Sequence, residues 1–233
     1  MKVLVISDDT WHPAEVVEMG LAPLKRKFDM TCSCTAKDIL TPKYLREFDV
    51  VMVCKGDCIN GGNHEPWFEE GVTEVMPRDF KRYVEEGGAF IALHAGNCFR
   101  EGETMTELTG NYFIGHPPRC EVTLHFEHIP LTDGAEDFTE RDEHYQIAVI
   151  AGDAVPFAHS VSQTGGRQIA GYTRELGLGR VAVYTPGHTL AMLSHPSTQK
   201  ILENLIAWAG GEEGGIMAPP TNLKLKEGKL YEG

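Results

Sequence analysis

Three short stretches, KVLVIS (2–7), DVVMVCK (49–55) and AFIALH (89–94), carry apolar residues in unbroken runs rather than at every second position. A strand with one wet face alternates polar and apolar side chains. A strand that is apolar throughout must be covered on both faces. Such strands belong to the interior of a parallel sheet, and this requirement limits the chain to few architectures.

The segments between these runs supply the cover. Residues 14–27 have helical spacing behind Pro13, Thr41 and Pro42 open a short helix as cap and first-turn residue, and a helix over 74–86 stops at Gly87-Gly88. DMTCSCT (29–35) adds a strand. The βαβα order predicts an α/β fold, a mainly parallel sheet with helices on both faces. The later half is less regular. CEVTLHF (120–126), YQIAVI (145–150) and RVAVYT (180–185) read as strands, and PSTQKILENLIAWA, ending at Ala209, reads as a helix with Ile201, Leu205 and Trp208 on one side. One domain is expected over 1–210. The weakly patterned tail 211–233 is either disordered or an arm docking on a neighbour, and only the second reading implies a homo-oligomer.

Net charge narrows the partners. With 21 basic against 34 acidic residues the chain carries −13, and it has no basic cluster to displace counterions from a nucleic acid. Neutral ligands, cations or proteins fit better. No run of about 18 apolar residues suggests a membrane span. The opening MKVLVISDD turns acidic at once and lacks a signal-peptide pattern, so a cytoplasmic location is expected. Cys32, Cys34, Cys54, Cys58, Cys98 and Cys120 are spaced as C-x-C and C-x3-C rather than as zinc-finger pairs, and read as reduced, mostly buried thiols.

In an open parallel sheet, ligands bind beyond the carboxyl ends of the strands. There the first strand runs into Asp8-Asp9 with Trp11 and His12 next, the fourth ends at His94, and the late strand RVAVYT runs into Pro186-Gly187-His188. Topology alone therefore brings His12, His94 and His188 to one rim. His94 lies in Ala92-Leu93-His94-Ala95-Gly96, which has the small-residue frame of a nucleophile elbow with imidazole where serine or cysteine would stand. The Gly- and Pro-rich loop GNYFIGHPPRC (110–120) offers Tyr112 and His116. RDEHYQ (141–146) starts a strand in which alternation puts Glu143 and Tyr145 on one face and His144 on the other. A carboxylate there could act as general base, imidazole orienter or metal ligand. A Walker A loop, a G-x-G-x-x-G after the first strand and an H-E-x-x-H are absent.

GGAFIALHAG (87–96), LTGNYFIGHP (108–117), DEHYQ (142–146), GLGRVAVYTPGHT (177–189) and HPSTQKILENLIAWA (195–209) together resemble the trehalose-utilisation (ThuA-like) family, in the family's order. The resemblance implies a flavodoxin-like, doubly wound sheet similar to class I glutamine amidotransferases. In those enzymes the elbow holds cysteine, activated by a histidine after a late strand, which His188 matches. Imidazole at His94 could not form the γ-glutamyl thioester, and Cys98 is poorly placed to replace it, so glutaminase chemistry is not expected. The implied ligand is a neutral sugar, trehalose-related or an oxidised keto-sugar. One expectation is an acid–base enzyme using His94, His188 and Glu143, with Asp9, His12, Tyr112, His116 and Tyr145 shaping the pocket. In a variant of it, His94, His116, Glu143 and His188 hold a divalent metal such as zinc. The alternative is a non-catalytic sugar-binding or regulatory module.

Overall fold

The computed structural model describes residues 1–35, 39–56, 61 and 64–211. Asp57, Cys58 and the expected tail beyond Gly211 lie outside the described residues. The strands in chain order are β1 (Lys2–Ile6), β2 (Asp29–Ser33), β3 (Val50–Val53), β4 (Ala89–Leu93), β5 (Asn111–Gly115), β6 (Cys120–Phe126), β7 (Phe138–Asp142), β8 (Gln146–Val149), β9 (Val155–Ser162), β10 (Gly166–Leu176) and β11 (Gly179–Tyr184). The helices are α1 (Ala14–Leu21), α2 (Pro42–Leu45), α3 (Pro77–Glu85), α4 (Thr104–Thr109), α5 (Leu190–Ser194) and α6 (Pro196–Ala209).

Among the described residues nine strands share one sheet, in the order β2-β1-β3-β4-β11-β10-β9-β6-β7, while β5 and β8 form a separate antiparallel pair. The unbroken apolar runs are explained by burial on both faces. Val3, Val5, Val50, Met52, Ile91, Leu93, Ala182 and Tyr184 face Leu21 of α1 and Ile201, Leu205 and Trp208 of α6. The alternate residues Leu4, Ile6, Val51, Val53, Phe90, Ala92, Val181 and Val183 face Leu45 of α2 and Phe80 and Val84 of α3. Thr41 caps α2 through its hydroxyl, which accepts the Tyr44 N–H at 3.0 Å. Residues 22–26 continue α1 as a 3-10 turn rather than as α-helix.

The expectation of a mainly parallel sheet needs correction. The pairs from β2 to β11 are parallel, but those from β11 through β10, β9 and β6 to β7 are antiparallel. The short turns at Gln163–Gly165 and Gly177–Leu178 link β9, β10 and β11 as hairpins, which a parallel pair cannot use because it needs a long crossover. The first part of the expected Gly- and Pro-rich loop 110–120 is also ordered, as β5. No helix among the described residues is long and apolar enough to cross a membrane.

Register aligns the strand ends. Ile6 pairs with Val53, Val53 with Ala92, and Leu93 with Tyr184, so the residues that follow leave the sheet along one edge.

Candidate functional site

The chain turns sharply after β4. His94 has φ +45°, a conformation costly for a residue with a side chain, and opens the 3-10 turn His94–Asn97. Gly96 is required by contact: a Cβ there would lie 2.1 Å from the carbonyl oxygen of Val53. Asn97 holds the turn from inside, its amide donating to the carbonyls of Ala92 at 3.1 Å and His94 at 3.2 Å. The elbow expected from small flanking residues is thus present as backbone geometry, and it carries a buried imidazole.

The His94 ring is fixed by its neighbour strand. Because Leu93 pairs with Tyr184, Thr185 lies beside His94, and its carbonyl accepts from His94 Nδ1 at 2.7 Å. A carbonyl can only accept, so the proton is on Nδ1 and Nε2 presents a lone pair. Burial pulls the His94 pKa down to about 4, outweighing the pull of Glu143 and of the Thr185 carbonyl.

His12 is fixed in the same way. Asp9 Oδ1 accepts from His12 Nδ1 at 2.7 Å and from the backbone N–H groups of Trp11 and His12, each at 2.9 Å, while Asp9 Oδ2 accepts from Gly56 N at 2.7 Å. Burial works against ionisation of Asp9, but the His12 ring and these N–H groups hold its pKa below the ordinary value. Asp9 therefore orients His12 rather than lining a pocket, and His12 Nε2 points inward.

Glu143 and His188 are brought together by the last residue of β7. Asp142 is fully buried, and its carboxylate accepts the backbone N–H of Gly187 at 2.8 Å, of Thr189 at 3.1 Å and of His188 at 3.4 Å. Burial raises its pKa to about 6 against those N–H groups. This clip sets Glu143 Oε2 3.2 Å from His188 Nδ1 and 3.5 Å from His94 Nε2. Glu143 is held well below the usual carboxylate range: burial opposes ionisation, but the two imidazoles facing it outweigh that cost.

The structure brings together His12, His94, Glu143 and His188, whose donor atoms all lie within 4.8 Å of one another. Ring centroids are 5.0 Å apart for His12–His94, 5.1 Å for His12–His188 and 5.4 Å for His94–His188, all edge-on. Tyr145 forms a wall, stacked on His94 at 4.0 Å, with its hydroxyl 3.2 Å from Cys98 Sγ and 3.4 Å from His12 Nε2. His116 also stacks on Tyr145, at 5.5 Å, and faces Glu143 Oε2 at 3.6 Å from a partly exposed position outside the group of four. Tyr112 is not brought to the cluster. It alternates with Phe113 along β5, and Phe113 is the ring that meets Tyr145, at 4.8 Å. His144 points away from Glu143, between the hydroxyls of Ser162 at 2.6 Å and Ser160 at 2.9 Å.

Sequence reasoning missed Asp142, Thr185, Asn97 and Phe113. Of these only Asp142, beside Glu143 in RDEHYQ, gave a readable signal. A small cavity of about 10 Å³ beside the rings is lined by His12, Val17, Leu93, His94 and His188. A broader depression of about 710 Å³ beside α6 is lined by none of the candidate residues.

The sequence profile of the ThuA family, described as trehalose utilisation, matches residues 2–209. No curated protein matches the chain. Among solved structures, a putative ThuA-like protein from Parabacteroides merdae ATCC 43184 is 16% identical, with a TM-score of 0.68 over 97% of this chain and 99% of its own. A putative ThuA-like protein from Bacteroides uniformis ATCC 8492 is also 16% identical, with a TM-score of 0.63 over 90% and 91%. A cytoplasmic protein from Salmonella typhimurium LT2 is 11% identical, with a TM-score of 0.63 over 90% and 99%. At such identities the likeness is one of fold.

Proposed function

The chain belongs to the ThuA family, whose description is trehalose utilisation, and on that premise we propose that it processes a neutral carbohydrate, trehalose-derived or a keto-sugar, by acid–base chemistry. One observation carries this reading: Glu143 Oε2 faces His188 Nδ1 at 3.2 Å and His94 Nε2 at 3.5 Å at the end of the parallel strands. Glu143 or a bare imidazole nitrogen takes the proton from the carbon next to a sugar carbonyl. The C–H electron pair moves into a C=C bond, and the carbonyl oxygen takes a proton from His188, the imidazole whose ring proton is not held on an outer acceptor, giving an enediol. Protonation of the former carbonyl carbon, with loss of the neighbouring hydroxyl's proton to the base, isomerises the sugar; loss of a β substituent, protonated as it leaves, instead completes an elimination.

The strand order β2-β1-β3-β4-β11 fits a flavodoxin-like winding of the amidotransferase kind. The elbow nevertheless carries imidazole, and Cys98 lies off it beside Tyr145, so glutaminase chemistry is not part of the proposal. A cytoplasmic setting accords with the printed description of the Salmonella neighbour.

The elbow without a nucleophile also supports a second reading, a sugar-binding or regulatory module without turnover. The two separate on one experiment. Keto-disaccharides incubated with the protein in D2O are followed by NMR for exchange at the carbon next to the carbonyl and for product. Exchange that is lost in His94→Ala, with melting unchanged, supports the enzyme. Binding without exchange or product in the native protein overturns it in favour of the module.

A further inference from the structure

Two of the four converging side chains share a property that acid–base chemistry does not require. His12 and His94 each spend the Nδ1 proton on a fixed acceptor, Asp9 and the Thr185 carbonyl, both at 2.7 Å. Their Nε2 lone pairs then point inward. Histidines that bind metal ions are prepared in this way, the outer ring N–H donating to a carboxylate or carbonyl so that the inner nitrogen is free to ligate. His94 Nε2 and His188 Nδ1 are both buried without a hydrogen-bond partner, which is costly unless something else sits between them.

The spacings agree. Ligand atoms about 2.1 Å from one ion lie roughly 3.0–3.4 Å apart at neighbouring positions. Glu143 Oε2 is 3.2 Å from His188 Nδ1 and 3.5 Å from His94 Nε2, and the set of four falls within 4.8 Å. Three imidazoles seen edge-on to one another, with centroids 5.0–5.4 Å apart, surround one point rather than stacking as a packed core.

We propose that His12 Nε2, His94 Nε2, His188 Nδ1 and a Glu143 oxygen form a binding site for one divalent first-row transition ion. Three imidazoles and one carboxylate suit zinc, iron, nickel or manganese, whereas magnesium and calcium prefer all-oxygen sets. The expectation from sequence had His116 among the ligands. The geometry puts His12 in its place: Asp9 aims it inward, and its donor atom lies within 4.8 Å of those of His94, Glu143 and His188, a set that excludes the more exposed His116. Asp9, Thr185 and Asp142 are positioning groups. The proposal deepens the reading of the site as one acting on a sugar carbonyl, since a bound ion would polarise that oxygen.

The test uses the full chain without a polyhistidine tag, stripped with a chelator. It is reloaded separately with zinc, manganese, iron(II), cobalt and nickel, and each is measured by elemental analysis and by titration against a competing chelator. One equivalent is expected for at least one ion. His12→Ala and Glu143→Gln should each weaken affinity by about tenfold or more, Asp9→Asn by about tenfold to a hundredfold, and His116→Ala by less than about threefold. Cobalt should give ligand-field absorption in the native protein that His12→Ala alters or abolishes. Melting curves establish that each variant is folded. Less than a tenth of an equivalent for all five ions, or unchanged affinity in folded His12→Ala, overturns the proposal. The readout is independent of turnover. An ion bound by a protein that leaves keto-sugars untouched sinks the enzymatic reading alone, and turnover by metal-free protein that takes up no ion sinks only the metal site.

Discussion

Asp142 Oδ2 accepts the backbone N–H of Gly187 at 2.8 Å, joining the end of β7 to the loop after β11 across 45 residues of chain. Gly187 has φ +143°, open to glycine and strained for other residues, so the loop is shaped to meet the carboxylate. Glu143 and His188 face each other because their neighbours are tied together.

Removing that tie should cost both stability and site geometry. Asp142→Ala leaves three backbone N–H groups without their acceptor, and about 3 kcal/mol or more of unfolding free energy should be lost in urea denaturation. Asp142→Asn retains an acceptor oxygen and should lose less. Equal stability of the Ala variant and the native protein would show that the clip is dispensable.

The elbow makes a steric prediction. In Gly96→Ala the new methyl group meets the Val53 carbonyl, so β3 and β4 must separate or the turn must open. Destabilisation of about 3 kcal/mol or more is expected, together with loss of whatever function depends on His94. A variant that melts with the native protein would mean that the turn relaxes easily.

Tyr145 has a ring role and a hydroxyl role that can be separated. Tyr145→Phe keeps the stack on His94 and should melt within a few degrees of the native protein while changing the pH profile of any turnover, because the contacts to Cys98 and His12 are lost. Tyr145→Ala removes a buried ring and should cost about 3–5 kcal/mol. If Phe is as damaging to stability as Ala, the hydroxyl and not the ring carries the packing.

His144 predicts a pH dependence of stability. Burial between two serine hydroxyls lowers its pKa from 6.5 to about 4. Above pH 6.5 the ring is neutral in folded and unfolded chains, and its contribution is intact. As pH falls from 6.5 towards 4 the unfolded chain binds a proton that the folded one refuses, so stability declines, by up to about 3 kcal/mol, and below pH 4 this contribution levels off. His144→Asn should lose that much less between pH 7 and pH 4. Parallel stability curves for the two proteins would remove His144 as the cause.

The parallel half of the fold was legible because burial on both faces leaves an unmistakable mark, as in VLVI and AFIAL. The antiparallel half was not. In β9 and β10, polar residues such as His159, Arg167 and Gln168 interrupt the apolar pattern, because these strands lie nearer the sheet's exposed end. In the site, the meeting of His12, His94 and His188 followed from topology, since each ends or follows a strand of one sheet. Glu143 and His144 do point apart, but they lie in the connection between β7 and β8 and not in the strand that the sequence suggested. In β5 alternation worked against Tyr112, whose neighbour Phe113 takes the inner face. The groups that aim the rings, Thr185 through a backbone carbonyl and Asp142 through backbone N–H groups, act on atoms every residue has, and residue type does not record them.

The last strand among the described residues, β11, is also the middle one of the nine, with β4 on one side and β10 on the other. A nascent chain cannot close its sheet until residue 184 has left the ribosome. Until then β4 and β10 present bare edges, which invite pairing with other chains. Synthesis of this protein therefore has a vulnerable interval between the completion of β4 at Leu93 and that of β11 at Tyr184, and its yield in a cell should respond to chaperone supply more than the stability of the finished molecule would suggest.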